Sequence, residues 1–314
     1  RDFTINTLAV SLNGPHYGEL LDFFGAQRDL KDRAVRILHN LSFVEDPTRV
    51  FRAIRFEQRL GFHLGKHTEL LLRSAVRMGF LERVGGRRVL NELIIIFREA
   101  DPLPALLRMA DLDLLKFFHP ALAITPRLRS LFEAANRIVH WYELLSTAEP
   151  CERWFPYFLC LVADLDRDAV LGLAQRLELP SRYLPALEEE REEAQRVVNL
   201  LERRRARHSP PRNSDLFRRL DPLSTEALLY LMAKAGSDEV RRWVSHYFTH
   251  LRGETPLLTG SDLKALGLPP GPLYRKILQV LRDARLNGRV ATRDEELALV
   301  RRRFLSSALP ESGK

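Results

Sequence analysis

Between residues 3 and 12, FTINTLAVSL alternates apolar and polar positions with the period of a half-buried strand. GELLDFF at 18–24 offers an antiparallel partner across the turn residues NGPHYG. From Asp46 onward the period lengthens to that of a helix: Val50, Phe51, Ile54 and Leu60 mark one apolar face, Leu70 to Val76 a second and Val89 to Phe97 a third. The remainder reads as helices separated by proline and glycine, through LPALLRMADLDLL, SLFEAANRIVHWYELL, WFPYFLCLVADL and LPALEEEREEAQRVVNLLERRRAR, with a break at HSPPRNS. Beyond the break, two more helices flank the Gly- and Pro-rich loop of LTGSDLKALGLPPGPLYRKILQVLRDARLNG. The pattern predicts a mainly α chain that opens on a β-hairpin. Two strands are marginally stable alone, so the hairpin is expected to belong to a larger sheet whose other strands precede residue 1, in keeping with a start other than methionine.

Composition narrows the class. At 314 residues, 45% hydrophobic and 29% charged, the chain can bury a sizeable core in two or three domains. No apolar run reaches the length of a membrane span and the N-terminus has neither the apolar region nor the cleavage site of a secretory signal, which places the protein in the cytoplasm with no membrane partner. Cys151 and Cys160, in an aromatic and apolar stretch, suit reduced core residues better than a disulfide or a zinc site. His39, His119 and His208 stand singly, without metal-ligand spacing, and read as structural. The net charge of +8 is arginine-heavy, with a pI near 9.8, and suits a polyanionic partner because guanidinium pairs with phosphate in a planar fork. A solvated basic face accounts for the charge equally well.

One stretch concentrates chemistry. In EDPTRVFRAIR, Asp46 followed by Pro47 reads as an N-cap with proline at the first helical position. Arg49, Arg52 and Arg55 then recur every third residue, which keeps neighbours adjacent while the stripe drifts around the helix and makes a patch of polyphosphate size. Arg49 lies one turn from Asp46, so a carboxylate acceptor and a guanidinium donor can together present a base-pair-like edge to a nucleobase. The plain alternative is a cap followed by a solvated face, its arginines paired with Glu45 and Glu57.

RDFTIN, LLDFFGAQRDL with VRIL, EDPTRVFRAIRF with LGF, and VGGRRVLNELIIIF stand in the order in which the class II tRNA nucleotidyltransferase and poly(A) polymerase family carries its motifs. The chain resembles that family along nearly its whole length. LLTGSDLKALGLPPGPLYRKIL with LNGRVATRDEEL is similar to the tail of its CCA-adding or A-adding bacterial members, LHNLSFVEDPTR resembles long members with extra domains upstream, and the segment from about 120 to 255 matches in helical character only. The resemblance implies a mainly α fold: a β-hairpin remnant of a truncated palm-type head domain at 1–38, a helical neck at 39–100, a helical body at 101–207 and a helical, tRNA-binding tail at 208–314. It also assigns roles. Arg1 and Asp2 correspond to a pair that contacts ribose and phosphate, with a charged strand edge as the alternative. Gly25, Asp29 and Leu30 correspond to the head-to-neck junction, with a plain turn as the alternative. Asp46 and Arg49 take the part of an amino-acid template that pairs with the incoming base, while Arg52 and Arg55 bind nucleotide and hold the template. Phe51, Ile54 and Phe56 are core. The fifth motif matches through Gly86, Arg88, Glu92 and Leu93, but Arg87 stands where an acidic residue is usual, which puts its helix-capping role in question. Ala26 replaces a common second glycine.

The implied activity is addition of CCA, or of the terminal A alone, to tRNA 3′ ends, with ATP and CTP as substrates and Mg2+ as cofactor. Nucleotidyl transfer needs clustered carboxylates to hold metal ions on the phosphates. In the family these carboxylates and a Gly-Gly or Gly-Ser loop lie before RDFTIN, and Asp22 and Asp29 are too far apart to replace them. The chain is therefore expected to select the nucleotide and bind the tRNA 3′ end, with the catalytic metal ligands outside it and no activity by itself. A poly(A) polymerase of the same family and a noncatalytic RNA-binding module are the other readings. For RNA grip the residues are Arg203, Arg204, Arg205 and Arg207 within ERRRARHSPPR, and the run RRRF at 301–304. Their plain alternative is arginine complementing a helix dipole.

Overall fold

The computed structural model describes residues 2–145 and 149–305. It is mainly α and divides into two compact units, one formed by residues 2–144 and 149–192 and the other by residues from 193 onward. No helix among the described residues is long and apolar enough to cross a membrane.

The first unit opens with the expected hairpin in shortened form. Strand β1 (Ala9–Val10) pairs antiparallel with β2 (Leu20–Leu21), and Thr4–Asn6 is a 3-10 turn where the alternation predicted strand. The reason is tertiary: Phe3 is fully buried edge-on to Phe56 at 5.6 Å and bridges to Ile37, and the Thr4 amide donates to the Arg36 carbonyl at 3.0 Å. A short parallel pair that periodicity did not reveal, β3 (Ala34–Val35) with β4 (His63–Leu64), ties the start of the unit to the end of a later helix. Helix α1 (Ala26–Lys31) follows Gly25, whose φ of 74° lies in the left-handed region. Its first amides donate to the Asp22 carboxylate at 2.8 and 2.9 Å, so Asp22 is the cap here.

Helices α2 (Ser42–Glu45), α3 (Arg49–Leu60), α4 (Lys66–Arg77), α5 (Gly86–Phe97), α6 (Leu103–Asp111), α7 (Leu115–Phe118), α8 (Pro126–Glu143), α9 (Trp154–Leu161) and α10 (Arg167–Arg176) complete the unit, and α11 (Arg191–Ala206) begins at its end. Helix α3 packs on α5 and α6, and α5 and α8 both pack on α9. Val50, Phe51 and Ile54 are fully buried as predicted, whereas Leu60, placed on the same face, is largely exposed one residue before Gly61 ends the helix. An aromatic cluster of Phe97, Phe132 and Tyr157, with centroids about 6 Å apart, fills the space among α5, α8 and α9. Cys160 is buried in α9, and Cys151 lies partly exposed before it. Buried Glu57 in α3 accepts from the Leu64 amide at 3.0 Å and from Arg108 of α6 at 2.8 Å, which satisfies both oxygens of a carboxylate out of water.

In the second unit, α12 (Asn213–Leu220), α13 (Thr225–Lys234), α14 (Asp238–His246), α15 (Gly260–Ala265), α16 (Pro272–Leu286) and α17 (Arg293–Val300) follow α11. Helix α13 is almost wholly buried. Leu258, Leu263, Leu268, Ile277, Leu281 and Val300 form a core under the Gly- and Pro-rich loop. Glu296, fully buried, accepts the amides of Leu257 and Leu258 at 2.9–3.1 Å and pairs with Arg285 at 3.4 Å, fixing the segment before α15 to α17.

Candidate functional site

The acidic–arginine stretch and the fifth motif meet at one place in the first unit. Asp46 has extended backbone, with φ −140° and ψ 95°. Its Oδ1 accepts the Thr48 amide at 3.1 Å and the Thr48 hydroxyl at 2.6 Å, and its carbonyl accepts the Arg49 amide at 3.1 Å. That is cap geometry around Pro47, although regular α-helix starts only at Arg49 because the first turn is tightened. The other oxygen, Oδ2, accepts Arg88 Nη2 at 2.9 Å from the first turn of α5, 42 residues away. Burial pushes the Asp46 carboxyl up, but the Thr48 hydroxyl and amide with the Arg88 and Arg49 guanidiniums outweigh it and hold it below the ordinary aspartate value.

The three arginines of α3 have separate fates, which follow from helix geometry: a three-residue step falls 60° short of a full turn, so the stripe rotates from rim to interior. Arg49 donates through Nη1 to the Ser42 carbonyl and hydroxyl at 3.0 and 2.9 Å and lies beside Asp2, its Nε 3.2 Å from Oδ1 but out of line for a hydrogen bond. These contacts leave Nη2 uncommitted among the described residues. Arg52 grips Asp2 Oδ2 through Nε at 2.7 Å and Nη2 at 2.6 Å, with Glu92 of α5 3.5 Å from Nη1. Burial lowers the Arg52 pKa, and Asp2 with Glu92 more than reverses this. Arg55 is buried, 3.7 Å from Glu99 and over the Phe56 ring at 4.8 Å, so it lies in the layer that holds the stripe in place. Phe56 itself is only half-buried, unlike Phe51 and Ile54. Arg1 lies outside the described residues.

Glu92 is the least comfortable group. Its Oε2 is buried with no hydrogen-bond partner among the described residues, and burial raises the carboxyl above its ordinary value against the pull of Arg52 and Arg55. Asp29, by contrast, is buried and fully engaged by the Thr4 hydroxyl and Arg36. Leu30 beside it is exposed. At the start of α5 no side chain caps the helix, and Arg87 reaches the Glu178 carbonyl at 3.4 Å instead. The helix is seated by Gly86, where an added Cβ would fall 1.8 Å from the Arg176 carbonyl oxygen. Sequence spacing did not bring Arg88, Glu92, Glu99 and Ser42 to Asp46 and the arginines of α3, because these pairings cross between helices.

The second unit carries the other candidates. Arg203, Arg205 and Arg207 are exposed and Arg204 is half-buried at the end of α11, and Arg205 pairs with Glu202 at 2.9 Å. Arg302 and Arg303 line a cavity of about 470 Å³ with Arg212, Arg218 and Arg289, faced by Asp215 and Asp283. No group of three or more His, Cys, Asp or Glu side chains among the described residues is placed to hold a metal ion.

Asp46, bound by Thr48 and Arg88, and Arg49, bound by Ser42, thus stand at one helix start, with Arg52 and Arg55 behind them on α3. Residues 1–36 match the Poly A polymerase head domain family. The chain is 51% identical over 299 residues to an A-adding tRNA nucleotidyltransferase of Geobacter sulfurreducens, covering 95% of this chain and 34% of that protein. It is 30% identical to the Thermotoga maritima CCA-adding enzyme complexed with tRNA-CCA, with a TM-score of 0.79 over 98% of this chain and 72% of that one. A CCA-adding enzyme in complex with ATP gives a TM-score of 0.78 at 30% identity, covering all of this chain and 72% of its own. The chain belongs to the tRNA nucleotidyltransferase and poly(A) polymerase family, and it spans about a third of the length of the Geobacter relative.

Proposed function

We propose that this chain is the nucleotide-selecting and RNA-gripping part of a tRNA nucleotidyltransferase that adds CCA, or the terminal A alone, to tRNA 3′ ends. The observation that carries the reading is the joint fixation of Asp46 and Arg49 at one helix start, each with an atom left to bond. Asp46 Oδ2 retains a lone pair beside Arg88, and Arg49 Nη2 is an open donor among the described residues. Adenine and cytosine both offer an exocyclic amino group next to a ring acceptor, which matches this pair. Guanine and uracil offer a carbonyl oxygen next to a ring N–H and meet carboxylate with acceptor and guanidinium with donor.

Asp2, Arg52 and Arg55 would hold sugar and phosphates or stiffen the template. Arg203, Arg204, Arg205 and Arg207, with the arginine-lined cavity of the second unit, would take RNA phosphates. Residues 1–38, 39–100, 101–207 and 208–314 would then serve as head remnant, neck, body and tail. The A-adding name of the Geobacter relative, which matches along 95% of this chain, favours terminal-A addition. Magnesium would supply phosphate activation from carboxylates outside the matched motifs, so the chain alone would bind without transferring.

The test is nucleotide choice in the full-length protein. Asp46→Ala or Arg49→Ala is expected to lower the kcat/KM ratio of ATP over GTP on tRNA ending in CC, by as much as about 10⁴-fold, because a site built to hydrogen-bond its substrate rejects analogues by leaving its own groups unpaired. If Asp46 only caps α3, its loss costs about 1 kcal/mol of stability and leaves the ratio unchanged, which would overturn the template.

A further inference from the structure

We propose that Arg88 is a positioning residue for base selection: it holds the second oxygen of Asp46, so that the carboxylate faces the incoming base in one orientation. This rests on the reading of Asp46 and Arg49 as a base template. Asp46 is fixed at two points by different elements. Thr48, two residues further along the chain, takes Oδ1 through its amide and hydroxyl, while Arg88 takes Oδ2 from the first turn of α5 at 2.9 Å. With Thr48 alone, the carboxylate keeps one anchored oxygen and is free to turn about its last side-chain torsion, which is intrinsically broad. With Arg88 in place, both oxygens are set and the remaining lone pair of Oδ2 points where an exocyclic amino group can reach it.

Arg88 is suited to this by its own placement. Its guanidinium is 58% exposed, so it lies at the rim of the site, and among the described residues Asp46 is the partner it holds. Its backbone is held through the helix on which it stands, since Gly86 two residues earlier sits against the Arg176–Leu177 backbone too closely for any side chain. The geometry therefore runs from the backbone after α10 to the start of α5, to Arg88 and to the reading atom of Asp46. An exposed ion pair contributes little to stability, so what Arg88 supplies is orientation, together with a part of the lowering of the Asp46 pKa.

The experiment compares Arg88→Met, which keeps the stem, Arg88→Lys, which restores a cation, and Asp46→Ala, all in the full-length protein with tRNA ending in CC. The Arg88→Met ratio of kcat/KM for ATP over GTP is expected to fall about tenfold, the size of one hydrogen bond to a charged group. Arg88→Lys should recover most of it, and the acid limb of the Arg88→Met pH profile should move to higher pH, because one of the groups that lower the Asp46 pKa is gone. A purely structural role would move neither the pH limb nor the lysine rescue. An unchanged ratio and pH limb in Arg88→Met, alongside a collapsed ratio in Asp46→Ala, overturns the Arg88 assignment and leaves the template standing. An unchanged ratio in Asp46→Ala overturns both.

Discussion

In α3, Arg49 and Arg52 share the Asp2 carboxylate at 3.2 and 2.6 Å and are at most 30% exposed, whereas Arg203, Arg205 and Arg207 at the end of α11 stand in water, with Arg205 paired to Glu202 one turn back. Both regions are runs of arginine, three in residues 49–55 and four in residues 203–207. The difference lies in what restrains the guanidinium. In the first unit Arg49 and Arg52 are held by a carbonyl, a hydroxyl and carboxylates from other elements, which restricts where each guanidinium can lie. In the second unit the side chains end a helix whose dipole favours positive charge there, and the ion pair of Arg205 with Glu202 lies within that same helix. On the proposed function, the held arginines would read a donor pattern and the exposed ones would supply charge.

The contrast breaks most visibly if the restraint is removed at its root. Gly86→Ala places a methyl group 1.8 Å from the Arg176 carbonyl oxygen. Something must shift, and a loss of about 3 kcal/mol or more in urea unfolding is expected; a variant as stable as the parent would show that α5 is not seated by this close approach. The reverse experiment is Arg203, Arg204, Arg205 and Arg207→Gln in combination. It should leave nucleotide choice untouched and weaken tRNA binding uniformly, lowering the slope of log K against log salt by about one for each phosphate no longer neutralised. A change in ATP-over-GTP preference without a change in slope would erase the distinction between the two regions.

The smallest expected effect sharpens the picture inside the first unit. Glu92 has a raised pKa because it is buried. Its folded form holds a proton more tightly than the unfolded chain, so stability falls as pH rises from the ordinary glutamate value of 4.5 through the raised one and stays lower above it. Glu92→Gln should raise the neutral-pH melting temperature by about 2 °C and flatten that decline. A lower melting temperature at pH 7 would mean that the pairing with Arg52 outweighs the burial.

Much of this site was legible from spacing. Asp46 before Pro47, arginines at every third position and an apolar stripe through Val50, Phe51 and Ile54 give a capped, half-buried helix with a basic stripe, and that is what forms. What spacing left open was which arginine faces out. A three-residue period places neighbouring arginines about 60° apart around the helix, and only the surroundings decide that Arg55 goes inside, against Glu99 and Phe56, while Arg49 stays at the rim. The hairpin shows the same limit. Alternation in FTINTLAVSL predicted strand from residue 3, and burial of Phe3 against Phe56 together with the hydrogen bond from Thr4 to Asp29 turned residues 4–6 into a helical turn.

The class of fold and the place of α3 just after Pro47 follow from local pattern alone, because periodicity, caps and turns act within a few residues of the chain. Tertiary packing set the rest: Arg88 meets Asp46 across 42 residues, Glu92 lies half-buried beside Arg52, and Gly86 must have no side chain. Those facts depend on where helix surfaces come together, and packing at close range is a property of two segments at once, which no local pattern in either one records.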